Sequence, residues 1–210
     1  MNRRMLSAVI AGLFMIVGQS ASASPPQARQ PVPGTTQTRA FSSPECEQAL
    51  QKANAKRRMA ERISKDECLR TSELVVSEAI QATPADILAD NPTAPESLLR
   101  AAAVGGVYYT YYRYSISQVT DKETMVGRFY FDQYYSWIST TYRGAQGYTD
   151  CWVDYTYGYS IDILRCTGGG LSSGTNSSNM RLYVTLLKVT PVSWTENYYV
   201  YFNRFGGYWT

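Results

Sequence analysis

The chain has 210 residues, of which 44% are hydrophobic and 18% are charged, and this composition excludes wholesale disorder. It contains 18 Tyr but no His. The absence of His excludes Ser-His-Asp and Cys-His catalysis, His-ligated zinc and haem with a His axial ligand. The formal net charge of +3 offers no electrostatic argument for nucleic-acid binding, and we predict none.

Residues 1–23 have the pattern of a secretory signal peptide. Arg3 and Arg4 precede an apolar run from Met5 to Gly18, and Ala21-Ser22-Ala23 offers small residues for cleavage. The apolar run is shorter than a membrane-spanning helix, so we predict no transmembrane span in the mature chain. We therefore expect an exported protein, in the periplasm or outside the cell, with 18 basic and 17 acidic residues after Arg3 and Arg4 are removed.

Two segments without Tyr or Trp follow the signal peptide. Residues 24–42 are rich in Pro, Gln, Thr and Ser and are predicted to form a flexible leader. Residues 43–104 are predicted to be helical, beginning with an N-cap at Ser43 and a Pro at the first helical position. The predicted helices cover 44–63 and 65–82, with two shorter ones near 84–88 and 93–103.

Export predicts that the four cysteines form disulfide bonds. They are Cys46, Cys68, Cys151 and Cys166. Loop closure favours pairing neighbours in the sequence. Two long helices would keep Cys46 far from Cys68, however, because bonded Cα atoms must lie within about 7 Å. Pairing of these cysteines with the C-terminal half therefore stays open.

Residues 105–210 contain every Tyr and every Trp and have the composition of β-strands. Strands are predicted over 107–118, 126–142, 150–157, 160–166, 181–190 and 196–204. The alternation from Cys151 to Arg165 fits one long strand or a tight hairpin at Gly158. The predicted fold class is α+β, with N-terminal helices packed on a curved antiparallel sheet of about six strands, and 43–210 as one domain.

The excess of Tyr points to binding, because Tyr combines a large flat ring with a polar tip and few rotatable bonds. Two clusters lie on the first two predicted strands, and alternation cannot bury all of their rings on one face. The candidate ligand-binding residues are Tyr109, Tyr111, Tyr112, Tyr134, Tyr135 and Trp137. They predict a non-enzymatic protein that binds a protein partner or a cell-envelope glycan on an aromatic sheet face.

Two other functions remain open. Without His, a hydrolase of glycans would use carboxylates, and the candidates are Asp132, Asp154, Asp162, Glu123 and Glu196. The other alternative is a structural or assembly component of the envelope. We predict no cofactor and no metal site, because there is no Cys-x-x-Cys pair and the Gly168-Gly169-Gly170 stretch lacks a following Gly-Lys-Ser/Thr.

Overall fold

The computed structural model describes residues 34–90, 92–138, 141–142, 145–146, 149–170, 172–188 and 190–210. The predicted signal peptide and residues 24–33 of the predicted leader lie outside the described residues. The fold is mostly β-strand. The strands are β1 (Thr35–Ser42), β2 (Leu69–Val76), β3 (Ile80–Gln81), β4 (Tyr108–Ser117), β5 (Asp121–Phe131), β6 (Ser136–Ile138), β7 (Thr141–Tyr142), β8 (Ala145–Gln146), β9 (Thr149–Thr156), β10 (Tyr159–Gly168), β11 (Thr175–Leu186), β12 (Val192–Asn203) and β13 (Tyr208–Trp209).

Most of the strands form two antiparallel sheets whose inner faces pack together. The large sheet has the order β1-β2-β4-β5-β6, with β3 also paired to β4 and β9 to β5. The small sheet has the order β10-β11-β12-β13, while β7 and β8 pair with each other. Rings from the two sheets meet in the core, where Phe129 stacks on Phe202 with centroids 4.3 Å apart. The prediction of antiparallel strands is confirmed, but a single sheet of about six strands is wrong.

In the described part of the chain, three α-helices and two short 3₁₀ helices, Met59–Glu61 and Lys65–Cys68, accompany the sheets. Helix α1 (Pro44–Asn54) begins at the predicted N-cap, because the Ser43 hydroxyl accepts a hydrogen bond from the Cys46 backbone N–H. Helices α2 (Pro84–Asp90) and α3 (Glu96–Ala103) pack on the outer face of the large sheet. Their small second core contains Ala82, Ile87, Leu98, Ala102, Val107, Tyr109, Tyr130 and Trp137. Among the described residues, no helix is both long enough and apolar enough to cross a membrane.

The predicted helix over 65–82 is wrong, because most of it is strand β2. Ser64 does cap a turn, but that turn is a short 3₁₀ helix, Lys65–Cys68. In β2 the side chains of Arg70, Ser72, Leu74 and Val76 are buried while alternate residues face outward. A period of two residues is typical of a strand. The sequence did not show this period as alternating hydrophobicity, because two of the buried positions carry polar residues, Arg70 and Ser72.

Part of the predicted flexible leader is also ordered. Residues Thr35–Ser42 form β1, an edge strand that pairs along its whole length with β2. Its sequence is rich in Thr, which suits an extended backbone. Most of its side chains are exposed, so composition alone did not distinguish this strand from a polar spacer.

The first disulfide joins Cys46 in α1 to Cys68, with Cα atoms 5.5 Å apart. The sequence predicted that two long helices would keep Cys46 far from Cys68. That separation does not occur, because strand β2, and not a second long helix, follows Cys68. The backbone N–H of Ser43 also donates to the carbonyl of Cys68 over 2.9 Å, which holds the start of α1 beside the start of β2.

The second disulfide joins Cys151 to Cys166, with Cα atoms 5.9 Å apart. The chain does turn at Gly158, which has a φ of 76°. The two flanking strands do not form a hairpin ladder, however: β9 pairs with β5 in the large sheet and β10 pairs with β11 in the small sheet. The disulfide therefore connects the two sheets beyond the turn that links them.

Removing this connection is expected to weaken the packing of the sheets. The double substitution Cys151→Ala and Cys166→Ala should lower the free energy of unfolding by about 3 kcal/mol, the value expected for a loop of this length. Urea denaturation followed by tryptophan fluorescence measures the change. The double variant Cys46→Ala and Cys68→Ala separates this effect from loss of the first bond. An unchanged midpoint in the Cys151 and Cys166 variant would contradict the expectation.

Candidate functional site

The predicted aromatic residues do not share one surface. Tyr111, Tyr134 and Tyr135 are exposed, whereas Tyr109, Tyr112 and Trp137 are buried. The reason is that both faces of the large sheet are covered. Tyr112 faces the small sheet and hydrogen-bonds to the Ser178 hydroxyl. Tyr109 and Trp137 lie on the opposite face, beneath α2 and α3.

The exposed members of that set make separate contacts. The Tyr111 hydroxyl accepts a 2.8 Å hydrogen bond from Nη2 of Arg128, whose guanidinium lies 4.9 Å from the Tyr111 ring centroid. Tyr134 and Tyr135 lie in the turn between β5 and β6, where Tyr134 is 70% exposed. Their backbone N–H groups both donate to Asp132, which shapes the turn. Asp132, a candidate hydrolase residue, therefore has a structural role.

Of the other candidate carboxylates, Asp162 and Asp154 lie apart from Glu123 and Glu196, which share the interior. Asp162 is exposed on β10. Asp154 on β9 accepts hydrogen bonds from the Thr124 hydroxyl and the Trp152 indole N–H, at 2.5 and 2.9 Å. Glu123 and Glu196, by contrast, are both buried in the interior. The structure therefore does not place these carboxylates on opposite sides of one substrate cleft.

A row of aromatic rings that the sequence prediction missed lies on the outer face of the small sheet. The rings of Tyr199 and Tyr201 on β12 are nearly parallel, with centroids 5.7 Å apart and planes 18° apart. The Trp209 ring on β13 continues the row at 5.7 Å from Tyr201 and 14°. Tyr199 is 39% exposed and Trp209 is 40% exposed. We call these three residues the aromatic row.

Strand alternation creates the row. Tyr198, Val200 and Phe202 point into the core, so Tyr199 and Tyr201 point outward. The register of β12 and β13 places Trp209 beside Tyr201. The outer positions of neighbouring strands carry mainly polar side chains, namely Ser177, Asn179, Arg181, Tyr183 and Thr185 on β11, and Ser193, Thr195 and Asn197 on β12.

A groove of about 380 Å³ opens between β1 and β12 beside the aromatic row. Its size is typical of sites for small ligands. We call it the aromatic groove, because Phe41, Tyr114, Tyr198, Tyr199 and Tyr201 all line it. The ring of Phe41 packs edge-on against Tyr198 with centroids 6.2 Å apart. Burial raises the pKa of Tyr114 to about 12, so its hydroxyl stays protonated at neutral pH.

The charged residues that line the groove are Arg39 on β1, Glu45 in the first turn of α1 and Glu196 on β12. Arg39 and Glu45 are exposed, whereas Glu196 is only 2% exposed. The Glu196 carboxylate accepts hydrogen bonds from the Trp194 indole N–H at 2.8 Å and from the Tyr198 hydroxyl at 2.6 Å. Burial and the neighbouring Glu196 carboxylate raise the pKa of Tyr198, which keeps this hydroxyl as a donor.

A buried charged cluster lies behind the groove. Nη1 of Arg70 donates to both carboxylate oxygens of Asp121, at 2.9 and 2.6 Å. Burial by itself would lower the pKa of Arg70, but the Glu196 and Asp121 carboxylates raise it, so the guanidinium stays charged. Burial first, and then the charge of Asp121, raise the pKa of Glu123 to about 9, so Glu123 is neutral at pH 7.

The aromatic row and the aromatic groove offer a ligand flat rings and hydroxyl groups. The chain matches no protein-family model, no curated protein and no solved structure, so its function must be argued from these side chains.

Proposed function

We propose that this protein is an exported, non-enzymatic binding protein that holds a glycan on the aromatic row. The row is the observation that carries the proposal. Tyr199, Tyr201 and Trp209 present three nearly parallel rings along one direction of a sheet. Successive sugars of a polysaccharide repeat in one direction and expose apolar C–H faces, which pack on aromatic rings, while their hydroxyl groups remain hydrogen-bonded.

The surroundings of the row favour a glycan over a protein partner. The core of a protein–protein interface is a contiguous apolar patch, and polar groups are confined to its rim. On the small sheet, Leu182, Val184 and Val200 all face the core. The outer face instead offers the amide of Asn197, which is exposed, and several hydroxyl groups, which suit the many hydroxyl groups of a sugar.

Export is supported by the two disulfide bonds, which form and persist in oxidising compartments. It is also supported by the pattern of residues 1–23, with its basic start, apolar run and small residues. The envelope of the source cell, or a surface outside it, is therefore where we expect the glycan.

The aromatic row is tested by single substitutions Tyr199→Ala, Tyr201→Ala and Trp209→Ala in the oxidised chain Ser24–Thr210. Each should weaken binding to polysaccharides about tenfold, because each removes a contact ring from the row. Affinity electrophoresis in gels containing soluble glucan, glucosamine polymer or N-acetylated polymer measures the retardation, and circular dichroism checks the fold.

The matched controls are Tyr134→Ala and Tyr157→Ala, which remove exposed rings from turns elsewhere on the surface. They should migrate as the wild type does. Equal retardation of the row variants and the wild type would contradict the proposal, and so would loss of binding in the control variants.

A further inference from the structure

Three neighbouring turns at one end of the two packed sheets carry exposed apolar side chains. Val119 lies in the turn between β4 and β5, Tyr157 lies in the turn between β9 and β10, and Leu187 directly follows β11. Their side chains are 98%, 81% and 53% exposed, respectively. We call these three residues the apolar tip.

Backbone hydrogen bonds hold the three turns side by side. The N–H of Tyr157 donates to the carbonyl of Thr120 over 2.6 Å, which joins the second turn to the first. The N–H of Leu187 donates to the carbonyl of Gly158 over 2.8 Å, which joins the third turn to the second. The residues of the apolar tip therefore occupy adjoining turns whose positions are fixed before any partner binds.

The apolar tip contributes nothing to the packing of the protein. The two hydrophobic cores of the described residues contain none of its three side chains. Single exposed apolar residues are common on protein surfaces, but several on adjoining turns form a patch of the kind that marks an interaction surface. The apolar tip therefore points to a partner and not to a role in the fold.

The size and shape of the apolar tip favour a lipid bilayer over a protein as that partner. A stable protein–protein interface buries about 800 Å² on each side. Even three aromatic side chains would bury at most about 750 Å², and Val119 and Leu187 are smaller. Side chains as exposed as Val119 and Tyr157 project from the surface, so a rigid protein would touch the turns and little else. A bilayer is fluid and closes around projecting side chains.

The chemistry of the apolar tip also suits the surface of a bilayer. Tyr157 combines an apolar ring with a polar hydroxyl group, and Tyr is enriched where membranes meet water. The charge of Lys188, which follows Leu187, is paired within the protein, because its Nζ lies 3.2 Å from Oε1 of Glu67. Apolar contact, and not attraction to anionic lipids, is therefore the expected source of binding.

We infer that the apolar tip docks this protein on the surface of a lipid bilayer, with Val119, Tyr157 and Leu187 inserted among the headgroups. This inference goes beyond glycan binding and does not depend on it. The tip adjoins the Val192 end of β12, because Leu187 follows the residue that pairs with Val192. From Val192 to Tyr201 the strand extends about 30 Å, at roughly 3.3 Å per residue. Docking therefore leaves the aromatic row clear of the membrane.

Flotation of the oxidised chain Ser24–Thr210 with phosphatidylcholine vesicles tests the docking surface. The wild type should float with the vesicles. Val119→Ser and Leu187→Ser should each weaken partitioning about fivefold, because each removes an inserted apolar side chain. The matched control is Val104→Ser, which replaces a Val that is 86% exposed after α3 and should float as the wild type does.

Two further measurements locate the contact. Adding one third of anionic phosphatidylglycerol, or raising the salt concentration, should change the bound fraction by less than about twofold, because apolar contact supplies the attraction. Tyr157→Trp places a fluorescent ring in the apolar tip. Lipids brominated near the headgroups should quench its emission more than that of the wild type. Tyr134→Trp, in the turn between β5 and β6, should show no added quenching.

The outcomes distinguish this inference from the proposed function. Failure of the wild type to float overturns the inference, and so does equal flotation of both tip variants and the wild type. Binding that requires anionic lipid and is lost in salt also overturns it. A dimer that Val119→Ser abolishes, without flotation, assigns the apolar tip to contact between two copies instead. None of these results changes glycan binding, which affinity electrophoresis measures in the absence of lipid.

Discussion

Replacing Arg70 with Met is expected to lower the free energy of unfolding by about 3–5 kcal/mol, because a buried ion pair is broken by removal of one partner. The side chains of Arg70 and Asp121 are 1% and 0% exposed, and Nη1 of Arg70 lies 2.6 Å from Oδ2 of Asp121. Without the guanidinium, the Asp121 and Glu196 carboxylates would remain in the interior with no cation beside them. Chemical denaturation at pH 7 measures the loss.

Two comparisons decide whether the loss comes from the broken pair. The double variant Arg70→Met with Asp121→Asn should be more stable than Arg70→Met alone, because no unpaired charge is then left at this position. Arg39→Met removes an exposed Arg from the neighbouring strand and should change stability by less than about 1 kcal/mol. An Arg70→Met variant as stable as the wild type would show that the cluster tolerates the missing charge.

Glu123→Gln is expected to remove a large part of the decline in stability between mildly acidic and alkaline pH. The folded state raises the pKa of Glu123 from the ordinary 4.5 to about 9, chiefly through burial and then through Asp121. The unfolded chain therefore releases this proton at lower pH than the native protein does. Between these two values the wild type should lose up to about 1.4 kcal/mol per pH unit through this one group.

The sign of the effect follows from the protonated form. Below pH 4.5 the Glu123 carboxyl is protonated in both the folded and the unfolded state, so it does not change the free energy of unfolding. Near pH 9 the decrease in the free energy of unfolding that the raised pKa causes is complete. Because Gln cannot ionise, the variant should be more stable than the wild type at pH 8 and similar at pH 4. Glu73→Gln, at an exposed position on β2, is the control and should follow the wild type. Parallel curves for wild type and Glu123→Gln would contradict the raised pKa.

Local signals in the sequence predicted several elements correctly. The Ser43-Pro44 start of α1 follows directly from capping chemistry, and β12 follows from its Tyr-rich alternation. Which disulfide pairs form was not decided by these signals. The pairing of Cys46 with Cys68 depends on whether a helix or a strand follows Cys68. The strand was not recognised because polar residues, Arg70 and Ser72, occupy two of its buried positions.

The site was less predictable because burial of a strand residue depends on what covers each face of its sheet. The clusters around Tyr111 and Tyr134 had the greatest density of rings, but α2, α3 and the small sheet cover much of the large sheet. The sequence places Tyr199 and Tyr201 on a predicted strand, but only the register of β12 and β13 in the structure shows that Trp209 lies beside Tyr201. No local pattern shows that relation.

The charged cluster could not be predicted for a related reason. Arg70, Asp121, Glu123 and Glu196 come from three strands that are distant in the sequence, and isolated charges on strands are usually exposed to solvent. Only the packing of β2, β5 and β12 brings them together in the interior. Glu196 is therefore among the candidate acids of the sequence, but its burial in a cluster with Arg70 became visible only in the folded chain.

Hydroxyl-radical footprinting of the oxidised chain, with and without the polysaccharide that retards it most, tests the central claim most directly. Oxidation rates are read ring by ring by mass spectrometry. Protection of Tyr199, Tyr201 and Trp209 by the polysaccharide, with unchanged rates at Tyr134 and Tyr157, is the result that glycan binding on the aromatic row predicts. Protection confined to Tyr134 and Tyr157, or unchanged rates at all five rings despite binding, would contradict it.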